Sequence, residues 1–198
     1  MVGNRYRLNA RQQKALIRMS VAETAIRIRN EKVLLPADLQ DETVAIDGFN
    51  CLILLESALS GAYLFQGLDS VYRDLSGVHG SYKKVQQSEK AIQLVGQTLT
   101  NLGVKKVHWY LDQPVSNSGR LKARLLDFAA KKDWDWAATL VFNPDKELAE
   151  HSAVVISSDG WVLDRAGRWF NLMAFLLDTG AVSPFVVYGA VDLRKDGI

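Results

Sequence analysis

The chain has 198 residues and a mass of 22.1 kDa. Its composition, with 48% hydrophobic and 23% charged residues, is typical of a globular protein with one sizeable core. No apolar run approaches the roughly 20 residues of a membrane-spanning helix, and we expect no signal peptide, since the opening residues lack its basic-then-apolar pattern. The single cysteine, Cys51, excludes an internal disulfide. We therefore expect a cytoplasmic protein without a membrane partner.

The net charge of +2 is unevenly distributed along the chain. Residues 1–40 carry eight Lys or Arg and three acids, a net charge of +5, whereas residues 41–198 have a net charge of −3. Such a basic segment indicates either contact with a polyanion or an ordinary solvated helix face. The candidates for nucleic-acid contact share one stripe of the first predicted helix: Arg11, Lys14 and Arg18.

That first helix is predicted to be long and to begin near Asn9, a residue type favoured at helix N-caps. Its buried stripe is formed by apolar residues at steps of four and three: Ala15, Met19, Ala22 and Ile26. Pro36 ends the region, so we place a basic N-terminal helical segment at 1–40 and an α/β domain at 41–198. Forty residues rarely support their own core, which favours docking on the larger part.

From residue 41 the pattern alternates strands and helices. Short apolar runs predict strands at 43–47, 105–111, 137–142, 153–157 and 185–188. Helices are predicted near 50–60, 86–102, 118–131, 145–150 and 168–179, with a small extra hairpin around 67–69. This alternation is typical of an α/β fold whose mainly parallel sheet, here of about five strands, is covered by helices on both faces.

Three of these strands run into an aspartate at or just beyond their carboxyl end: Asp47, Asp112 and Asp159. If the first strand lies between the second and the fourth, these residues lie at adjacent strand ends, where open parallel sheets bind ligands. Neighbouring strands are ~4.8 Å apart, so the carboxylates could share a hard cation, Mg²⁺ or Mn²⁺. Helix capping for Asp47 and Asp159, and turn formation for Asp112, are the structural alternatives.

Two motifs carry a resemblance to a known superfamily. Ile46-Asp47-Gly48-Phe49-Asn50 and Ile156-Ser157-Ser158-Asp159 resemble the first and last acidic motifs of PIN-like nucleases, and the Asp-Gly-x-Asn form is closest to the NYN branch. The runs 73–80 and 114–120, with the opening 6–8, are similar to an uncharacterised prokaryotic family, domain of unknown function number 434. The PIN-like resemblance implies a three-layer α/β/α sandwich that binds Mg²⁺ or Mn²⁺ through acidic side chains and hydrolyses RNA or flap-type DNA.

By matching position, the resemblance implies that Asp47, Asp112 and Asp159 are catalytic metal ligands, with Asp164 as a further ligand and Asn50 beside the first. Gly160 to Val162 follow Asp159 where many relatives place a charged residue, a departure that affects catalytic competence. We therefore predict a metal-dependent nuclease with RNA as its partner more than DNA. A noncatalytic nucleic-acid-binding protein on the same fold is the alternative, and a homo-oligomer is left open.

Two loops supply candidate substrate contacts. Arg73, Asp74 and His79 belong to a Gly-rich loop that either closes over a phosphate or connects elements at the surface. The second loop enters a helix, whose backbone N–H groups bind anions readily; its candidates are Ser116, Asn117, Ser118 and Arg120. An ordinary N-cap by one of those serines is the alternative. Asp145 is expected in the first turn of another helix, where the dipole favours an acid.

Overall fold

The computed structural model describes residues 6–75 and 85–188. Its strands are β1 Thr43–Asp47, β2 Tyr63–Gln66, β3 Tyr72–Arg73, β4 Lys106–Asp112, β5 Trp136–Val141, β6 Val154–Ile156 and β7 Phe185–Tyr188. Its helices are α1 Ala10–Met19, α2 Glu23–Asn30, α3 Gly48–Leu59, α4 Val85–Asn101, α5 Ser118–Lys132, α6 Pro144–Ala149, α7 Gly160–Arg165 and α8 Leu172–Asp178. A short 3₁₀ helix spans Pro36–Leu39.

The main sheet has four parallel strands in the order β5–β4–β1–β6, so β1 lies between β4 and β6 as expected. The register pairs Asp47 with Tyr110 of β4, and Ile46 with Ile156 of β6. The carboxyl ends of these three strands therefore meet at one edge of the sheet. This is the strand order that was considered from the sequence.

Side chains alternate across β1 and build a core on each face of the sheet. Val44 and Ile46 are fully buried in the larger core, which also contains residues of α3, α4 and α5 such as Leu52, Ile92 and Leu125. The intervening Ala45 belongs to the second core, formed largely by Leu148 of α6 and by α7. Helices thus cover both faces, and the predicted three-layer α/β/α arrangement is confirmed.

The predicted hairpin forms β2 and β3, which pair antiparallel. The predicted strand at 185–188 also forms, but it pairs in parallel with β2 in a second, three-stranded sheet ordered β3–β2–β7. Phe185 and Tyr188 are exposed there, and the ring of Phe185 packs against Tyr63. A strand with this exposure does not suit a sheet that is buried on both faces, so the main sheet has four strands.

The N-terminal region contains two helices instead of one long helix. Asn9 caps α1 as expected: its Oδ1 accepts from the Gln12 N–H at 2.9 Å, and Gln12 Oε1 accepts from the Asn9 N–H at 3.0 Å. The chain then becomes extended at Ser20 and Ala22 before α2 begins. None of the residues of α1 is fully buried, so the predicted apolar stripe is only partly covered.

A two-residue extension continues the main sheet beyond β6. Trp169 bridges Val155 on one side and Val33 on the other, both in parallel. The Phe170 N–H donates to Val155 O at 2.9 Å, and the Leu34 N–H donates to Trp169 O at 2.8 Å. This pairing explains why the helix predicted from residue 168 begins only at Leu172. Among the residues described, no helix is both long and apolar enough to cross a membrane.

Candidate functional site

Asp47 is a buried carboxylate at the end of β1. It is only 4% exposed, because the strand places it on the same face as Ala45, under α6. Its side chain makes no capping hydrogen bond to α3, so capping does not explain this aspartate. Gly48 lets α3 begin immediately beside β4, since a Cβ there would lie 2.9 Å from the carbonyl oxygen of Tyr110.

The loop between β6 and α7 is cross-linked to Asp47 through Ser157. The Ser157 hydroxyl donates to Asp47 Oδ2 at 2.8 Å and accepts the Asp159 N–H at 3.0 Å. Next to it, Asn50 Oδ1 accepts from both the backbone N–H and the hydroxyl of Ser158, at 3.1 and 2.6 Å. These bonds hold the β6–α7 loop against the start of α3.

Asp159 caps α7, which is the structural role weighed from the sequence. Its Oδ1 accepts from the Trp161 and Val162 N–H groups at 2.8 and 3.2 Å. A carboxylate has about four lone-pair positions on two oxygens, so capping through one oxygen is compatible with a cation at the other. The residue is only half-buried, which leaves it accessible.

Three carboxylates act on Asp47 at this edge of the sheet. The pKa of Asp47 is raised to about 7, mainly by burial and in smaller part by the charges of Asp145, Asp112 and Asp159, against the lowering effect of the Ser157 hydroxyl. Burial also raises the pKa of Asp112. The pKa of Asp145 is raised by desolvation and then by Asp159 and Asp112. The predicted aspartates Asp112 and Asp159, and also Asp145, therefore lie near enough for their charges to act on Asp47.

The chemistry of these groups suits a hard cation, because all of them offer carboxylate oxygen. Within 6–75 and 85–188, however, no three His, Cys, Asp or Glu side chains are spaced as a complete ligand set. Mg²⁺ needs no such cage: it usually keeps several waters and takes one or two protein carboxylates together with substrate phosphates. Asp47, with Asp112 or Asp159, is sufficient for that mode. Metal binding stays a prediction.

Comparison with known proteins places the chain in a family. A family model described as a domain of unknown function, DUF5616, matches residues 36–175. The chain belongs to this family. An uncharacterized protein of Methanocaldococcus jannaschii, MJ0935, is 33% identical over 162 residues, which are 82% of this chain and 77% of that protein. No solved structure matches the chain.

The family that matches is DUF5616, whereas the sequence motifs suggested domain of unknown function number 434. The resemblance to PIN-like and NYN nucleases stays a prediction.

Two other candidates of the DUF5616 protein lie in its scaffold. Asp164 pairs with Arg29, whose Nε donates to Asp164 Oδ1 at 2.8 Å. Asp164 is not among the carboxylates that raise the pKa of Asp47. Arg73 is 5% exposed and its guanidinium bonds to Asp69 and to the carbonyl of Ser158. Burial thus makes Arg73 part of the scaffold and not of a substrate surface.

The loop between β4 and α5 follows Asp112 directly. Ser116, Asn117 and Arg120 are exposed, whereas Ser118 is buried and its hydroxyl donates to Gln113 O at 3.2 Å. The N-cap of α5 is Asn117, which has a φ of 68° and no capping side-chain bond. The expected alternative, a cap by one of the serines, is therefore not what forms. Anion binding by the first turn of α5 stays a prediction.

The basic residues of α1 lie beside the second sheet. Arg11 and Lys14 line a groove of about 650 Å³ together with Tyr63, Phe65 and Asp74. Arg73 donates hydrogen bonds to the carbonyls of both Arg18 and Ser158, so its guanidinium bridges the end of α1 and the β6–α7 loop. His79 lies outside the described residues.

A tyrosine–histidine pair next to Asp47 was not anticipated from the sequence. Tyr110 is the cross-strand neighbour of Asp47 on β4, and its hydroxyl lies 2.9 Å from Nε2 of His151. Nδ1 of His151 accepts the Ala153 N–H at 3.0 Å, so the neutral ring carries its proton on Nε2 and donates it to Tyr110. The signal available in the sequence was the alternation that puts Tyr110 and Asp112 on one face of β4.

Proposed function

We propose that this DUF5616 protein is a metal-dependent nuclease that hydrolyses phosphodiester bonds, with RNA as its preferred substrate. The observation that carries the proposal is Asp47, buried at the carboxyl end of β1, with its pKa raised by the charges of Asp145, Asp112 and Asp159. A buried aspartate with a pKa near 7 and three acidic neighbours is costly to maintain. Such groups are concentrated at functional sites.

A bound Mg²⁺ or Mn²⁺ would supply a Lewis acid for the phosphate and lower the pKa of a coordinated water. Asp47 would be its first ligand, since cation binding offsets the repulsion among the four carboxylates. Ser157 keeps Asp47 and the backbone of Asp159 in a fixed relation through its two hydrogen bonds. Asp112 and Asp145 line the same edge and are available to a cation or to its water shell.

Recognition of the nucleic acid would use the positive charge of α1. Arg11 and Lys14 lie on the surface of α1 at a groove that also offers the aromatic rings of Tyr63 and Phe65. Basic side chains combined with aromatic surfaces suit single-stranded nucleic acid. The cytoplasm, where RNA is available, is the compartment that we propose.

The test is cleavage of a labelled single-stranded RNA by the purified full chain with Mn²⁺, Mg²⁺ or EDTA. We expect cleavage with a divalent ion, none with EDTA, and a loss of about 100-fold or more in Asp47→Asn and Asp159→Asn, the scale of removing one group that stabilises transition-state charge. Asp127→Asn is the matched control, because Asp127 is an exposed acid on α5 that pairs with Lys131. It should retain full activity.

Equal cleavage by Asp47→Asn and the unmodified chain would overturn the proposal. Salt-sensitive RNA binding without hydrolysis under any divalent ion would also overturn it, in favour of the noncatalytic nucleic-acid-binding protein. In that case binding should weaken in Arg11→Ala and Lys14→Ala.

A further inference from the structure

A buried ionic network joins α2 to β3. Arg29 and Arg73 both bind Asp69, whose side chain is fully buried. Arg73 Nη1 and Nη2 donate to the two oxygens of Asp69 at 2.9 and 2.7 Å, and Arg29 Nη1 donates to Oδ2. Arg29 Nε also donates to Asp164, so two cations are balanced by two anions.

One further donor of each guanidinium reaches the backbone beside Asp159, on opposite sides of it. Arg73 Nε donates to Ser158 O at 3.0 Å. Arg29 Nη2 donates to Gly160 O at 3.1 Å. The residues immediately before and after Asp159 are thus held by two different arginines, and Asp69 fixes those arginines relative to each other.

The fit around Gly160 leaves little freedom. A Cβ at this position would lie 2.9 Å from Arg29 Nη2, so a larger residue would have to displace the guanidinium. Arg29 is itself only 5% exposed, and its own carbonyl accepts the indole N–H of Trp169 at 2.8 Å. Arg29 is therefore held both at its backbone and at its guanidinium.

Stability alone does not account for this arrangement. Burying ion pairs costs several kcal/mol per ion in desolvation, and well-packed apolar side chains of similar volume often stabilise a protein as well or better. What apolar side chains cannot do is hold two specific carbonyl oxygens. The chemistry of the network therefore points to the placement of the Ser158–Gly160 backbone.

We propose that Arg29 and Arg73 are positioning residues for Asp159. Both arginines are bound by Asp69, and they fix the peptide groups that flank Asp159. They thereby determine the position of the Asp159 carboxylate relative to Asp47 and to the α7 amides. The functional part of this inference rests on the proposed nuclease, whereas the structural part does not. Because the DUF5616 match begins at residue 36, Arg29 comes from outside the matched region, and the N-terminal segment completes the site.

The first experiment measures hydrogen exchange in the full chain, at the Trp161 and Val162 amides that Asp159 caps. In Arg29→Met we expect their exchange to rise about tenfold or more, the change that the loss of one charged hydrogen bond predicts, with exchange in β1 and β4 unchanged. Arg27→Met is the matched control, because Arg27 is an exposed arginine on the same helix. It should exchange as the unmodified chain does.

Arg29→Lys is a second variant, for the case that Arg29→Met does not fold. A lysine keeps the charge opposite Asp69, but its single ammonium lacks the planar fork that reaches Asp69, Asp164 and Gly160 together. The same local rise in exchange is expected. Unchanged exchange at Trp161 and Val162 in both variants would overturn the inference, and so would an equal rise throughout the chain, which would mean a purely structural role.

The second readout separates this inference from the proposed function. If the unmodified chain cleaves RNA, Arg29→Lys should lower kcat with little change in KM, since Arg29 is buried away from the substrate; a change confined to KM would contradict positioning. If the unmodified chain cleaves nothing with any divalent ion, the nuclease proposal fails. The exchange experiment then still decides whether Arg29 holds Asp159.

Discussion

Replacing the buried carboxylate Asp47 by an amide should change how the stability of the protein depends on pH. Burial and three acidic neighbours raise the pKa of Asp47 from its ordinary 3.8 to about 7. The folded state thus binds a proton that the unfolded state releases, and the contribution of Asp47 to the free energy of unfolding falls as pH rises from 4 to 7. The full difference is about 4 kcal/mol at 1.36 kcal/mol per pKa unit, and about 3 kcal/mol of it lies between pH 4.5 and 7.5.

Asp47→Asn removes this titration but keeps an oxygen that can accept from the Ser157 hydroxyl. The assay is urea unfolding, followed by tryptophan fluorescence in EDTA at pH 4.5, 6.0 and 7.5. The stability of the variant relative to the unmodified chain should increase by about 3 kcal/mol across this range. The control Asp127→Asn should show no such trend. A difference between Asp47→Asn and the unmodified chain that stays constant with pH would refute the reasoning.

Three further outcomes follow from packing and burial. Gly48→Ala should lower the free energy of unfolding by about 1–3 kcal/mol, because its Cβ would lie 2.9 Å from a β4 carbonyl oxygen. Gly119→Ala, with open space around the added Cβ, should instead stabilise the protein by about 0.4–1 kcal/mol. Equal stabilities of the two variants in urea titrations would contradict the close approach at Gly48. Arg168→Ala breaks a two-bond ion pair with Glu42 at the surface, so it should cost only about 0.2–1 kcal/mol, and less in 1 M salt; a larger or salt-independent loss would count against this. Burial raises the pKa of the Cys51 thiol, so it should react with a thiol reagent only as the protein unfolds, and prompt labelling of the folded chain would show that it is accessible.

The sequence was sufficient for the four strands of the central sheet because they are short apolar runs, but it also assigned β7 to that sheet, whereas β7 belongs to the second one. Once β1 was placed between β4 and β6, the approach of Asp47, Asp112 and Asp159 followed from geometry, since parallel strands end at one edge. Asp145 was recognised only as an acid in a helix turn. Its interaction with the other aspartates depends on where α6 packs, and no local sequence pattern predicts that position.

The features that sequence reasoning missed depend on contacts between distant parts of the chain. The pairing of Arg29 with Asp69 spans 40 residues, and that with Asp164 spans 135. An arginine on an amphipathic helix looks like a solvated residue until tertiary packing encloses it. Helix α7 does have a local signal, because Asp159 is a favoured N-cap residue.

The bridges that Trp169 makes to Val155 and Val33 also protect the protein from its own copies. The outer backbone groups of a border strand are a template for adding a strand from another molecule. On the β6 side those backbone groups already form hydrogen bonds with the segment around Trp169, which in turn pairs with the N-terminal segment at Val33. A fragment that begins after Leu34 would leave Trp169 as an open border, and we expect it to self-associate at concentrations where the full chain stays dispersed.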